Sequence, residues 1–357
     1  EGAIIQYNKA IELNPKYADA YNNLGIAMYK KSDIKGAIIQ YNKAIELNPK
    51  YADAYYNLGI AIYENGDIEV AIIQFNKAIE LNPKYADAYL NLGFAMKANG
   101  DIEGAIIQYN KAIELNPKHA DAYNNLGIAM YENGDIEVAI IQYNKAIELN
   151  PKHADAYNNL GIAMKANGDI EGAIIQYNKA IELNPKYADA YNNLGNAMYE
   201  NGDIEVAIIQ YIKAIELNPM DASGYNNLGI AMEANGDIEG AIILYNKAIE
   251  LNPKDADAYL NLGIAYLKIS LLDKSKTALQ KSYQLNSNEH ALMNLGHIHL
   301  AEKNEEEAMK CYVESKRKFN NEDLFIEGMK SDYEECNLSQ YGIEKSYYFE
   351  IIEKLKS

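Results

Sequence analysis

The stretch that decides the fold is ADAYNNLGIAMYENGDIEVAIIQYNKAIELNPKH, residues 120–153. Apolar side chains recur at spacings of three and four, first over 123–130 and then over 136–147, which is typical of two amphipathic helices. The letters NGD between them favour a turn, because Gly134 can adopt a left-handed conformation and Asp135 can cap the next helix. A proline ends the second helix. The stretch therefore predicts a helical hairpin.

The same pattern returns along the chain of 357 residues. The eight prolines are spaced 34 residues apart, at Pro15, Pro49, Pro83, Pro117, Pro151, Pro185, Pro219 and Pro253. A fixed period of this length indicates repeated hairpins, which bury their apolar faces only by stacking on one another.

Differences between the repeats predict how the chain is divided. We expect the second helix of a truncated unit at 1–17, seven regular units at 18–255, two divergent units at 256–320, and capping helices at 321–357. The last segment is richer in charge, as the exposed end of a repeat array requires. The chain starts without Met and inside a unit, so we expect further sequence before residue 1.

The recurring residues resemble a known family. Tyr-x-x-Leu-Gly-x-x-Met, then Ala-x-x-x-Tyr, then Pro, is similar to the tetratricopeptide repeat (TPR) over about residues 1–320. The resemblance implies an all-α fold, a right-handed superhelical solenoid of antiparallel helix pairs. It also implies a non-catalytic scaffold for protein–protein interaction. Tyr stands where the family often has Trp.

Composition restricts the partners. The net charge of −18 argues against nucleic acid and anionic membranes, and favours a neutral or basic protein or peptide. No apolar run reaches the length of a membrane span. Two cysteines, Cys311 and Cys336, favour free thiols over a single bridge. No signal fixes the location, for which the cytoplasm is the default.

Enzymatic chemistry is not expected. The five His residues lack partners at metal-ligand spacing, and His119 and His153 share a slot that reads as a tolerant surface position. The Asp/Glu pairs recur in every unit, whereas a catalytic pair would be unique. We therefore predict no metal, no cofactor and no catalytic residue.

The best candidate site is an asparagine directly before Leu-Gly in nine first helices, although Asn is a mediocre helix former. These residues are Asn23, Asn57, Asn91, Asn125, Asn159, Asn193, Asn227, Asn261 and Asn294. A side-chain amide offers a donor and an acceptor, so it can pair with a peptide unit of an extended chain. A similar asparagine ladder lines the TPR superhelix of O-linked N-acetylglucosamine transferase. The resemblance implies a concave groove that holds a guest polypeptide.

Neighbouring residues on the same helix face complete the predicted groove. They are Asn124, Asn158, Asn192, Asp121, Asp155, Asp189, Tyr131 and Lys165. The aspartates favour basic guests, and Lys97 and Lys165 interrupt them. Two alternatives stay open: the amides bond to neighbouring hairpins and only lock the stack, or duplication copied them without selection. The text also alternates between YENGDIEV and KANGDIEG, which indicates a pair of hairpins as the larger repeat, from duplication history or for function.

A second surface candidate lies on the second helices, opposite the packed stripe. It is a row of isoleucines at Ile39, Ile73, Ile107, Ile141, Ile175, Ile209 and Ile243. A lysine four residues on can cover each isoleucine, or the row can form a lateral contact between solenoids. The alternative function is therefore a structural solenoid that self-associates into a fibre. A third is the substrate-recruiting arm of a larger protein.

Overall fold

The predicted all-α fold is confirmed. The computed structural model describes residues 2–319 and 321–356, and every regular element in this part is helical. Residues 1, 320 and 357, which lie at a bound of three of the predicted segments, are outside the described residues. The α-helices are α1 (Gly2–Leu13), α2 (Ala18–Tyr29), α3 (Ile34–Leu47), α4 (Ala52–Glu64), α5 (Ile68–Leu81), α6 (Ala86–Ala98), α7 (Ile102–Leu115), α8 (Ala120–Glu132), α9 (Ile136–Leu149), α10 (Ala154–Ala166), α11 (Ile170–Leu183), α12 (Ala188–Glu200), α13 (Ile204–Leu217), α14 (Ala222–Ala234), α15 (Ile238–Leu251), α16 (Ala256–Lys268), α17 (Leu272–Asn286), α18 (Glu289–Ala301), α19 (Glu305–Lys318), α20 (Glu322–Glu335) and α21 (Lys345–Lys356).

Packing divides the chain into two compact units, the first ending at Pro185 and the second beginning at Lys186. In the first, α1 packs on α2, and hairpins follow from α2–α3 to α10–α11. In the second, hairpins run from α12–α13 to α18–α19, followed by α20, a short 3₁₀ helix at Leu338–Tyr341, and α21. The division by repeat type and the handedness of the solenoid stay predictions.

The turn within each hairpin follows the NGD letters only in part. Gly134 has φ +89°, the left-handed conformation that ends a helix. Asp101 caps α7 by accepting a 2.8 Å bond from the backbone N–H of Gly104. The predicted cap at Asp135 is wrong, because its side chain accepts no cap bond from α9. Instead, the Asn133 amide donates to Asp135 Oδ2 at 2.8 Å, which directs the carboxylate away from the helix.

The core forms where one hairpin meets the next. A typical cluster joins Ala139 and Tyr143 of α9 to Leu160 and Ala163 of α10, and all four side chains are buried. Neither helix pair buries this surface alone, so stacking supplies the core as the period predicts. At the C-terminal end the largest cluster instead links α16 to α21, with both cysteines free.

The helices of each hairpin touch at a glycine. A Cβ atom on Gly127 of α8 would lie 2.6 Å from Cε1 of Tyr143 on α9. No real Cβ contact is that short, so either the ring or the helix would have to move. The glycine near the middle of each regular first helix is therefore required by packing.

We predict that Gly127→Ala destabilises the fold by about 1–3 kcal/mol, the usual cost of overpacking. Gly328→Ala on α20 is the matched control, because its Cβ would meet only Met293 Cε at 3.4 Å, an ordinary contact. The control should be neutral or slightly stabilising, since Ala favours helix. Urea unfolding measures both; equal destabilisation of the two variants would contradict the packing role of Gly127.

Candidate functional site

The asparagines before Leu-Gly are half-buried, apart from Asn294, which is buried. Their amides reach back to the preceding repeat. In four of them Nδ2 donates to Oδ1 of an asparagine 35 positions earlier: Asn57 to Asn22 at 3.0 Å, Asn159 to Asn124 at 3.1 Å, Asn227 to Asn192 at 3.1 Å, and Asn261 to Asn226 at 3.0 Å. We call this contact the interrepeat amide bond. It ties neighbouring first helices together.

Other members of the row have different partners. Asn91 donates to the hydroxyl of Tyr56 at 2.9 Å and to the backbone oxygen of Asp87 at 3.0 Å. Asn294 donates to the His290 carbonyl at 3.0 Å. Asn193 also has a partner. The amides thus contribute to the stack at most positions.

Asn23 and Asn125 differ, because neither side chain forms a hydrogen bond with another described residue. The position that faces Asn125, 35 residues earlier, holds Leu90, which has no polar atom to offer. An amide has two N–H groups and one oxygen. Asn125 therefore keeps its full capacity, whereas Asn57, Asn159 and Asn261 each keep one N–H and the oxygen.

The residue before each of these asparagines is less accessible than expected. Asn124 and Asn158 are only 7 % and 4 % exposed, and Asn124 accepts an interrepeat amide bond. Asn192, which is half-buried, accepts the equivalent bond from Asn227. These side chains face the neighbouring repeat, so Asn124 and Asn158 are not available to a guest. Their predicted place in the groove needs correction for that reason.

The aspartates near the start of the first helices remain exposed, including Asp121, Asp155 and Asp189. Oδ1 of Asp121 lies 3.1 Å from Nε2 of His153, and Asp87 pairs with His119 at 3.3 Å. The expectation that both histidines occupy a surface slot is wrong, since their side chains are only 11 % and 17 % exposed. The slot packs against the preceding repeat and presents a polar atom to its aspartate.

In other repeats a tyrosine occupies the position of His119 and His153 and lies near the aspartate of the preceding repeat. Burial, followed by the nearby Asp19 carboxylate, raises the pKa of Tyr51 to about 12. The phenol therefore stays protonated beside Asp19, and the Asn22 amide donates to its oxygen at 3.4 Å. Asp19, Asp87 and Asp121 thus each face a polar side chain of the next repeat while their carboxylates stay in contact with solvent. At residue 221 the same slot holds Asp, which has no donor to offer Asp189.

The ends of the first helices show two kinds of junction. Lys97 forms a 2.8 Å ion pair with Glu132 of the next repeat. At the preceding junction Tyr63 instead contacts Phe94, with ring centroids 5.3 Å apart. The alternation of YENGDIEV and KANGDIEG in the sequence therefore corresponds to two kinds of contact between neighbouring first helices. Tyr131 is half-buried in a core cluster, and Lys165 has a partner of its own.

Sequence reasoning missed several contributors to this surface. Phe94 is 42 % exposed where other first helices carry Ile. Asn196 replaces the same Ile and accepts from the Tyr211 hydroxyl at 2.8 Å. Glu233 pairs with Lys268 at 2.7 Å, with both side chains largely covered. Each is a departure from the repeat consensus, and that departure was the signal available in the sequence.

Stacked helical hairpins with a repeating polar face define a helical repeat protein of the binding-scaffold class. The sequence matches the family described as TPR repeat in eight overlapping segments from residue 1 to 270, and the tetratricopeptide repeat at 256–289 and 289–316. The chain belongs to the tetratricopeptide repeat family, which implies a protein–protein interaction scaffold. Comparison with curated proteins gives no significant match.

Two solved structures share this fold, and a third matches at a lower TM-score. The hetero-tetramer Cut9-Hcn1 of the APC/C is similar with a TM-score of 0.60 and 21% identity, over 82% of this chain and 58% of that chain. PilF of Pseudomonas aeruginosa matches with a TM-score of 0.52 and 22% identity, over 57% and 92% of the two chains. YrrB, described as a TPR protein with an unusual peptide-binding site, has a TM-score of 0.44 and 28% identity, over 52% and 95%.

Several buried polar side chains lie at the C-terminal end. His297 is fully buried, and its Nε2 lies 2.8 Å from the Tyr348 hydroxyl. Its Nδ1 lies 3.8 Å from Oδ2 of Asp332. Burial lowers the pKa of His297 to about 3 and raises the pKa of Asp332 to about 7. Both groups are therefore neutral in the interior over part of the pH range.

Within 2–319 and 321–356, no group of three or more His, Cys, Asp or Glu is arranged to hold a metal ion. Among the described helices, none is both long and apolar enough to cross a bilayer.

The raised pKa of Asp332 makes stability depend on pH. Between its unfolded value near 3.8 and its folded value of about 7, the native state binds more protons than the unfolded chain, so stability falls as pH rises. We predict that Asp332→Asn gains about 2 kcal/mol relative to wild type between pH 5 and pH 8, since one pKa unit corresponds to ~1.4 kcal/mol.

Urea unfolding at the two pH values measures the effect. Glu327→Gln, at an exposed position of the same helix, is the control and should follow wild type. A wild-type curve that runs parallel to that of Asp332→Asn would contradict the prediction.

Proposed function

We propose that this chain is a non-catalytic scaffold that binds an extended polypeptide segment along the first-helix face, the surface that carries Asn57, Asn91, Asn125 and Asn159 with the exposed aspartates. One observation carries the proposal: no described residue donates to Oδ1 of these four asparagines, while their nitrogen side is largely committed to the stack. A row of amide oxygens alternating with carboxylates is a surface of acceptors.

Such a surface selects guests that supply donors. The backbone N–H groups of an extended chain and the side chains of Lys and Arg have this chemistry. The exposed carboxylates of Asp53, Asp87 and Asp121 add attraction for cations. Each hydrogen bond contributes only about 0.5–1.5 kcal/mol, so binding is expected to be weak and tolerant of sequence.

The absence of catalysis is supported by the state of the nucleophilic side chains. Burial raises the pKa of both thiols, Cys311 and Cys336, so neither favours the reactive thiolate. Cys336 is 2 % exposed and donates to Asn294 Oδ1 at 3.6 Å. His297 is fully covered and out of reach of a substrate.

The test uses a fluorescein-labelled peptide of alternating Lys and Ala, with a Glu-Ala peptide for comparison. We predict that replacing Asn57, Asn125 and Asn159 together by Ala lowers affinity for the Lys-Ala peptide by at least about tenfold, because several hydrogen bonds of ~0.5–1.5 kcal/mol are lost. Fluorescence anisotropy measures binding, and far-UV circular dichroism checks the fold.

The single variants separate the two roles of the amides. Asn159→Ala removes an interrepeat amide bond and should lower the melting temperature, whereas Asn125→Ala should weaken binding alone. Failure of the wild-type protein to bind the Lys-Ala peptide in preference to the Glu-Ala peptide would refute the proposal.

A second candidate function is self-association through the isoleucine row of the second helices. These side chains are exposed by 61–64 % at Ile39, Ile73, Ile107, Ile141, Ile175 and Ile209, and by 70 % at Ile243. Each lies beside an i,i+3 ion pair such as Lys43–Glu46 at 2.8 Å. Seven exposed isoleucines at the same repeat position are an apolar surface that a second copy can cover.

We predict that the wild-type protein shows a rising mass with concentration in sedimentation, and that changing Ile107, Ile141 and Ile175 to Gln removes this rise. The substitutions lie at exposed positions, so the melting temperature should stay unchanged. A wild-type protein that stays monomeric at every concentration tested would exclude this second function.

A further inference from the structure

Asn125, on α8, lacks the bond to the preceding repeat that its neighbours in the row of first-helix asparagines form. Where an asparagine or tyrosine stands opposite, as for Asn57, Asn91 and Asn159, an amide N–H goes to the preceding repeat. Asn125 has Leu90 opposite and keeps both N–H groups and its oxygen. It is half-buried. The amide is therefore partly desolvated, and it makes no hydrogen bond to any other described residue.

The same place carries an apolar surface, formed by two residues of α6. Leu90 and Phe94 lie one turn apart on α6 and share a face. Leu90 packs on the buried cluster of Tyr109 and Leu126, so the core fixes its position. Phe94 is 42 % exposed, with its ring against Tyr63. This place thus combines the exposed ring of Phe94 with the Asn125 amide, which has no hydrogen-bond partner in the described chain.

The charges around this place are acidic. The side chains of Asp87 and Asp121 are 55 % and 65 % exposed. The nearest cation on these helices, Lys97, is engaged by Glu132 at 2.8 Å and does not neutralise them. A basic group arriving beside Phe94 therefore meets two carboxylates, which gives the surface a preferred partner charge.

We propose that Leu90, Phe94 and Asn125 form a selective subsite for an extended guest segment that carries a large apolar side chain next to Lys or Arg. Phe94 and Leu90 take the apolar side chain, and Asn125 pairs with the N–H and C=O of the adjoining peptide unit. Asp87 and Asp121 attract the cation. The inference rests on the proposed function, because it specifies which part of the first-helix face selects among guests.

Two substitutions test the subsite by installing residues that other repeats carry at the same positions. Leu90→Asn gives Asn125 the partner that Asn57 and Asn159 already have, so the amide is occupied within the stack, while the packing of Leu90 on Tyr109 and Leu126 is lost. Phe94→Ile installs the residue found at the same position in neighbouring repeats, Ile60 and Ile128. Ile60→Leu, at the equivalent place on α4, is the matched control.

The probes are labelled Lys-Ala peptides with either Phe or Ser at the centre, and a Glu-Ala peptide with central Phe. The wild-type protein should bind the Phe-centred Lys-Ala peptide about tenfold more tightly than the Ser-centred one. Leu90→Asn and Phe94→Ile should each bring this ratio close to one, whereas Ile60→Leu should leave it unchanged. Far-UV circular dichroism should show the same helix content for the variants and the wild-type protein.

The outcomes distinguish the subsite from the function on which it rests. If both Lys-Ala peptides bind equally, or if the ratio survives Leu90→Asn and Phe94→Ile, the subsite is wrong and the broader binding function stands. Equal binding of the Glu-Ala peptide would refute the role of the aspartates. If no probe binds the wild-type protein, both proposals fall together.

Discussion

The close approach of two helices at a glycine determines the geometry of every regular repeat. A Cβ on Gly25, Gly127 or Gly229 would lie only 2.5–2.6 Å from the facing tyrosine ring. The missing methyl group lets the second helix lie directly against the first, and the aromatic ring then fixes their register. Repeated from unit to unit, this spacing brings the amide nitrogen of Asn57 to 3.0 Å from the amide oxygen of Asn22 in the preceding first helix. The polar face thus depends on an apolar contact on the other side of the helix.

The cost of this arrangement is a buried hydroxyl in most hairpins. The Tyr109 hydroxyl is buried and makes no hydrogen bond within the described chain, whereas Tyr211 and Tyr245 find Asn196 and Glu233. Phe75 fills the slot without a hydroxyl and packs equally deeply. Ring volume is therefore the property that the slot requires, and the hydroxyl partners are local additions by individual repeats. Those additions give repeats of nearly identical sequence distinct surfaces.

The period and the helical pattern were predictable because each repeat presents the same short-range signals. The roles of the asparagines were harder, since a helical wheel places Asn124 and Asn125 on one face without showing that position 90 stands opposite 125. That pairing crosses repeats with an offset one residue longer than the period, and only packing fixes it. The same holds for His153, whose contact with Asp121 depends on the preceding hairpin. Asp135 failed as a cap because Asn133 competes for its carboxylate locally.

The two kinds of first-helix junction have a consequence for how the array changes length. Lys97 meets Glu132 because a lysine-bearing hairpin is followed by a glutamate-bearing one. Deleting the single hairpin at 120–153 would bring Ala166 opposite Lys97 and leave a half-buried ammonium without its acid. Deleting two would bring Glu200 and restore the match. A change in repeat number by two hairpins therefore keeps this ion pair, whereas a change by one hairpin loses it.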